Sequence, residues 1–339
     1  MDLEEVRQEA KRKLGPVCIV CAACNGVHCA GQMPGMGGVG TGASFKNNYN
    51  ALAAYRLNMR TLHTVAEPEL GVSLFGHRLA LPVLTAAVAG GKMNLNGAIG
   101  EEDLAWAMVA GAKAAGTLAM TGDGPLPLFL ESGLAAIARA GGYAIPIIKP
   151  RPVGQIIERA QRAADAGAVA VGIDVDAACL LPMMRAGQPV GPKPLDELRE
   201  LVARLPLPLV LKGIMPADEA EIAVTAGAAG IVVSNHGGRS LDHLAGTAEV
   251  LPEIARAAKG KIAILADGGV RSGVDVLKML ALGADAVLVG RPLAIAAVGG
   301  GEEGVALAFR RFAEELRVAM VLTGCPSPAY AGPHLVRRG

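Results

Sequence analysis

A (β/α)₈ barrel, an α/β fold, is what the sequence predicts, and three observations carry that prediction. From residue 80 onward, short apolar runs alternate with Ala-rich amphipathic segments, eight of each. The runs are continuously apolar rather than alternating, as expected of parallel strands covered on both faces. Eight such units fill about 250 residues, the usual size of a closed barrel. An open doubly wound sheet is the rival architecture, and the number of units argues against it.

The strands fall in order as LPVLTA (81–86), TLAMTG (117–122), YAIPII (143–148) and AVAVGIDV (168–175), then LPLVLKG (207–213), GIVVSN (230–235), KIAILADGG (261–269) and DAVLVGRP (285–292). Helical segments lie between them, including 101–116, 216–228 and 272–284. The last opens on Ser272, an N-cap residue type, and closes on Gly283, a C-cap type. Residues 1–80 precede the barrel and are expected to pack on it as an extension, leaving 81–339 as the barrel. Its first segment, MDLEEVRQEAKRKLG, places acids before bases, the order a helix dipole favours.

Composition narrows the function. Hydrophobic residues make up 52% of the 339 and charged residues 19%, so a large core is easily filled. Lys and Arg (32) nearly balance Asp and Glu (31) without any basic block, which disfavours nucleic acid as a partner. Residues 14–45 hold no Asp, Glu, Lys or Arg, but eight glycines and two prolines there are incompatible with a membrane-spanning helix. No apolar leader opens the chain, and a cytoplasmic location is expected. In that compartment six cysteines are read as thiols or metal ligands rather than disulfides.

In this architecture chemistry sits where strands end. Asp174, Lys212, His236, Asp267 and the Gly290–Arg291 pair close strands four to eight. DGGVRSG (267–273) and GRP (290–292) each combine glycine with an arginine, Arg271 and Arg291, on neighbouring loops, a phosphate-binding arrangement. At the end of strand six, SNHGGRS (234–240) sets an imidazole able to exchange a proton beside Arg239, whose guanidinium can clamp a carboxylate. Asp174 is placed to orient the imidazole.

SNHGGRSLD (234–242) closely resembles the signature of the FMN-dependent 2-hydroxy acid oxidases and dehydrogenases. LKG (211–213), DGGVRSG, ALGADAVLVGRP (281–292) and LTGC (322–325) follow in that family's order. The resemblance implies oxidation of a lactate- or glycolate-like 2-hydroxy acid to the 2-keto acid through FMN, with O2 or a redox partner as final acceptor, in a homotetramer. It implies that His236 takes the substrate proton, Arg239 holds the carboxylate, and Asp174 pairs with His236. Lys212 would stabilise the reduced ring. Ser234, Asp267, Gly268, Gly269, Arg271, Gly290, Arg291, Ala87 and Thr121 would complete the cofactor contacts.

The pattern also departs from the family. Gly38 and Pro146 stand where two pocket tyrosines belong, Ala144 replaces a glutamine and Gly172 a threonine. A second arginine is missing from its usual place, with Arg185 and Arg151 as substitutes. LPVLTAAVAGG (81–91) resembles instead the flavin-dependent isopentenyl diphosphate isomerases, the alternative enzyme reading. A flavin or iron–sulfur electron-transfer protein is the non-enzymatic one. Cys18, Cys21, Cys24 and Cys29, spaced C-x₂-C-x₂-C-x₄-C, suit either a [4Fe–4S] cluster or zinc.

Overall fold

The computed structural model describes residues 1–339. An N-terminal helix α1 (Leu3–Leu14) is followed by α2 (Ala43–Ala53) and three short strands: β1 (Tyr55–Leu57), β2 (Val72–Leu74) and β3 (His77–Leu79). The barrel strands are β4 (Val83–Thr85), β5 (Ala119–Gly122), β6 (Ala144–Ile148), β7 (Val171–Asp174), β8 (Leu209–Ile214), β9 (Gly230–Val233), β10 (Ala263–Ala266) and β11 (Ala286–Val289). They form one eight-stranded sheet in the order β4-β11-β10-β9-β8-β7-β6-β5, and every paired neighbour is parallel. All eight coincide with the apolar runs, and the fold is a (β/α)₈ barrel.

The seam between β4 and β5 closes mainly through side chains. Thr85 Oγ1 accepts from the Met120 N–H at 3.0 Å and reaches the Met120 carbonyl at 3.3 Å, while Thr117 Oγ1 donates to the Val83 carbonyl at 2.7 Å. Two hydroxyls thus do the work of a ladder, with one further bridge at Val88 and Thr121.

Between the strands run α3 (Gly91–Asn94), α4 (Glu101–Ala114), α5 (Pro127–Ala140), α6 (Val153–Asp165), α7 (Leu181–Arg185), α8 (Leu195–Arg204), α9 (Ala217–Ala226), α10 (Thr247–Ala258), α11 (Gly273–Ala281) and α12 (Arg291–Thr323). Asp2 and Ser272 each build a capping box, satisfying first-turn N–H groups of α1 and α11. The cap of α11 falls on Leu282, one residue before the expected Gly283, which continues the turn at φ +119°. By length and composition α12 is apolar enough to cross a membrane. It breaks at Gly301, however, and its buried face packs against α1, α4 and α11.

Alternation along each strand sorts side chains into two cores. One lies within the barrel and includes Leu84, Leu118, Met120, Ile145, Ile147, Val210, Val232, Leu265 and Leu288. The hairpin β2–β3 adds Leu74 and Leu79 to it, with Phe75 packed alongside. The larger core joins the outer strand faces to the helices. One pairing has no sequence signal: β1 runs antiparallel to β12 (Val336–Arg338), tying the extension to the C-terminus.

Replacing Thr85 with Val keeps the shape but strands a buried N–H, a loss of about 1–3 kcal/mol. The urea midpoint is expected to fall with an unchanged slope, and Thr85→Ser is expected to restore it.

Candidate functional site

The inward-facing parity of each strand leads to one residue at its C-terminal end: Ala86, Gly122, Lys149, Asp174, Lys212, Ser234, Asp267 and Gly290. All but Ser234 line a single cavity of about 380 Å³ at that mouth. Its roof comes from the extension, where Met33, Gly35, Met36 and Val39 face the same space.

Asp174 is the electrostatic centre of the ring. Lys149 Nζ lies 2.5 Å from Oδ2 and Lys212 Nζ 2.9 Å from Oδ1, all three side chains being buried. Burial raises the Asp174 pKa, but His236, Lys149 and Lys212 outweigh it and hold the carboxyl well below its usual range. Burial likewise works against the Lys212 charge, and Asp174, Asp176 and Asp267 overcome it.

His236 follows β9 at φ +60°, a conformation costly for a non-glycine residue and worth about 1–3 kcal/mol of strain. Its Nδ1 lies 3.0 Å from Asp176 Oδ1 and 3.5 Å from Asp174 Oδ1. Asp176 is therefore the hydrogen-bond partner, while Asp174, the expected one, pairs with His236 at the longer distance and is also held by the two lysines. With Nδ1 donating to a carboxylate, Nε2 is the nitrogen left to accept a proton. Asp174, Asp176 and His236 also have ligand atoms within 4.8 Å of one another. Two ammonium groups already on Asp174 disfavour a cation there.

Gly237 and Gly238 are not simply room for a ligand. A Cβ on Gly238 would lie 2.4 Å from the Phe45 backbone nitrogen, so the close approach of α2 demands that glycine. Gly268 and Gly269 line the cavity while packing against Asn48 of α2, and Gly269 would put a Cβ 2.5 Å from the Asn48 carbonyl. Ala87 and Gly290 line the cavity too.

Three guanidiniums, Arg239, Arg271 and Arg291, surround this end, and they donate mainly to carbonyl oxygens. Arg239 Nη1 donates to the Gly35 carbonyl and Nη2 to Asn94 Oδ1 at 2.9 Å. Arg271 Nε donates to the Cys24 carbonyl at 3.0 Å. Arg291 donates to the carbonyls of Met36 (2.7 Å), Gly37 and Gly237 (both 3.0 Å), and lies over the Phe45 ring. Burial pushes Arg239 down to about 10. Burial, with Arg239 and Arg271 nearby, pushes Arg291 down to about 9. Both stay charged at neutral pH and uncompensated by carboxylate. Buried Arg271 Nη2 and Asp267 Oδ1 have no partner. A phosphate-bearing group supplies what this cluster lacks, and the cavity is of ligand size.

Two expected cofactor contacts are corrected. Thr121 has the outward parity of β5: a Cβ on Gly133 of α5 would meet its Oγ1 at 2.8 Å, and Gly122 lines the cavity instead. Ser234 is sealed beneath the ring, donating to Asp267 Oδ2 at 2.8 Å and accepting from the His236 N–H at 3.1 Å. The same one-residue offset applies to Ala144 and Pro146 of β6, because Ile145 and Ile147 take the inward positions. Gly172 does face inward, its space filled by Ile147. Of the candidate second arginines, Arg185 lines the cavity rim, whereas Arg151 is buried in an ion pair with Asp123 at 3.1 Å.

Sequence reasoning missed Lys149, Asp176 and Asp123. Lys149 follows β6 directly, so the strand-end rule that found Lys212 had the signal for it.

The class this site defines is a flavin-binding barrel with an acid–base centre beside a carboxylate-sized cationic group. The sequence profile of the FMN-dependent dehydrogenase family matches residues 35–188 and 184–338, and the chain belongs to that family. 2-Hydroxyacid oxidase 1 of Mus musculus is 33% identical over 339 residues, 86% of this chain and 88% of the mouse protein. L-Lactate dehydrogenase of Pseudomonas entomophila is 57% identical over 120 residues, 35% of this chain and 32% of that protein. A crystal structure of mandelate oxidase with (S)-2-phenylpropionate superposes with a TM-score of 0.79 at 33% identity, covering 99% of this chain and 97% of that one. Another mandelate oxidase structure holds a C4a-OH-FMN adduct.

Asp174→Asn would leave two buried ammonium groups facing a neutral amide, costing about 3–5 kcal/mol at neutral pH. The folded-state pKa of Asp174 is depressed, so its stabilisation is complete above the ordinary carboxylate value and fades as pH falls through the lowered one. Urea titrations from pH 7 downward are expected to show wild type and variant converging only at the acid end.

Proposed function

We propose that this protein is an FMN-dependent oxidoreductase acting on a CH–OH donor, oxidising a 2-hydroxy acid to the 2-keto acid. One observation carries the reading: His236, buttressed at Nδ1 by Asp176, lines the same cavity as Arg239 and the Lys212–Asp174 pair. When bound, FMN supplies a two-electron acceptor. The protein's part is to hold it and to manage the substrate's charge and proton.

Gly268, Gly269, Gly290, Arg271 and Arg291 would hold the phosphate and ribityl end, with Ala87 and Gly122 against the ring. Lys212, kept cationic by Asp174, Asp176 and Asp267, gives the mouth a fixed positive charge to balance an anionic reduced ring. Arg239 retains an Nε–H and one Nη2 hydrogen beyond its present bonds, donors suited to a carboxylate. His236 Nε2 accepts the proton of the substrate hydroxyl as C2 becomes a carbonyl, and Asp176 stabilises the resulting imidazolium. Ile147 and Phe129 give the substrate an apolar wall in place of tyrosines. Arg185 on the rim adds a second positive charge.

O2 or a redox protein then takes the electrons. The four-cysteine loop, as a metal or cluster site, belongs to the same reading. The isomerase alternative is disfavoured because proton removal by a histidine beside a carboxylate-binding arginine serves dehydrogenation. The relatives found are oxidases and dehydrogenases.

Anaerobic mixing of the FMN-loaded protein with glycolate, L-lactate and mandelate is expected to bleach the flavin band with at least one of them. His236→Gln is expected to slow that bleaching about 10²–10⁴-fold. The methyl ester of the best substrate should react poorly; equal reactivity of acid and ester would remove Arg239 as the clamp. A flavin left oxidised by every hydroxy acid would overturn the reading.

A further inference from the structure

Cys18, Cys21, Cys24 and Cys29 are free and part-buried, and with Met36 and Arg291 they line one small cavity in the extension. Cys179 and Cys325 lie elsewhere, one exposed and one buried. The 18–29 segment contains neither helix nor strand.

Charge points the same way. Residues 14–45 hold no acidic side chain, yet three guanidiniums converge on the loop. Arg7 donates to the Cys21 carbonyl at 3.2 Å, Arg271 to the Cys24 carbonyl at 3.0 Å and Arg291 to the Met36 carbonyl at 2.7 Å. Arg271 and Arg291 face this loop as well as the large cavity, so their charge is shared between the two. Four thiolates around an iron–sulfur core carry net negative charge and are stabilised by it.

Spacing separates a cluster from zinc. The first two gaps, C-x₂-C-x₂-C, repeat those of the bacterial ferredoxin run that binds [4Fe–4S] clusters, and the last is one residue longer.

We propose that Cys18, Cys21, Cys24 and Cys29 ligate a [4Fe–4S] cluster that serves as the electron exit of this protein. Arg291 and Met36 line both the cysteine cavity and the large cavity, so one layer of side chains separates the two. The outer side of the loop reaches solvent, with Ile19 39% and Val27 63% exposed. The exit role rests on the flavin reading of the large cavity. Each hydroxy acid oxidised releases two electrons and two protons. The cluster carries one electron at a time, so a one-electron-accepting redox protein is reduced twice per turnover while both protons pass to solvent.

Protein purified anaerobically is expected to hold about four iron and four acid-labile sulfide per chain, and to give a low-temperature EPR signal after dithionite reduction. The double variant Cys21→Ser/Cys24→Ser is expected to lose iron, sulfide and signal but keep its flavin and the bleaching by substrate. Cys179→Ser is expected to keep everything. Stoichiometric zinc without sulfide overturns the proposal, as does absence of iron even after reconstitution with ferrous iron and sulfide. If the double variant is insoluble, the wild-type iron, sulfide and EPR measurements decide alone. A cluster in a protein whose flavin no hydroxy acid bleaches upholds the ligand set and overturns the exit role.

Discussion

The strict two-residue alternation of a β-strand governs this molecule. Inside the barrel the alternation delivers apolar side chains at every level but the last, where it delivers Lys149, Asp174, Lys212 and Asp267. Charges at that depth persist only in balance. Two lysines on one aspartate meet that requirement, and the second strand-end carboxylate, Asp267, is partly satisfied by Ser234 below it. Burial raises the Asp267 pKa, while Lys212 and Ser234 pull it back. The ring is a rigid, net-compensated floor, and the groups free to react stand just above it on loops.

His236 shows what that floor makes possible. A left-handed corner at a non-glycine residue persists only where surrounding contacts over-determine it. Here Asp176 fixes the ring, the Ser234 hydroxyl accepts the His236 N–H, and Gly238 lets α2 press against the turn. The extension is thus part of the site's construction. Its carbonyls from Gly35 to Gly37 engage Arg239 and Arg291, and Asp242 accepts the Thr41 and Ala43 N–H groups, fastening the roof to the loop after β9. The backbone N–H groups lower the Asp242 pKa despite its desolvation.

The strands were legible because a buried parallel strand needs an unbroken apolar run, and every run after the first leads into a polar or glycine residue. His236, Arg239 and Lys212 were legible for the same reason, as side chains that a core strand would not choose. Parity was harder. Thr121 and Pro146 each miss the cavity by one residue, and Ala144 misses the inner face, because continuous apolar runs lack the polar–apolar alternation that would mark it. Asp176 lies only two residues beyond Asp174, and which carboxylate meets the imidazole depends on where Lys149 and Lys212 come to rest. The pairing of Tyr55–Leu57 with Val336–Arg338 joins two three-residue strands nearly 280 positions apart, too short to carry a pattern.

The loop of small residues in the extension joins two regions of the molecule through one side chain. Arg291 begins α12, so its backbone is fixed by the barrel, while its guanidinium is held by extension carbonyls and faces both cavities. Burial alongside Arg239 and Arg271 makes its charge costly without a counter-anion. Negative charge in either cavity relieves that cost, so whatever occupies one changes the electrostatics felt in the other. An extension that only covered a flavin would need carbonyls and glycines. One that also carries four cysteines sets their thiols around a cavity that the same guanidinium lines.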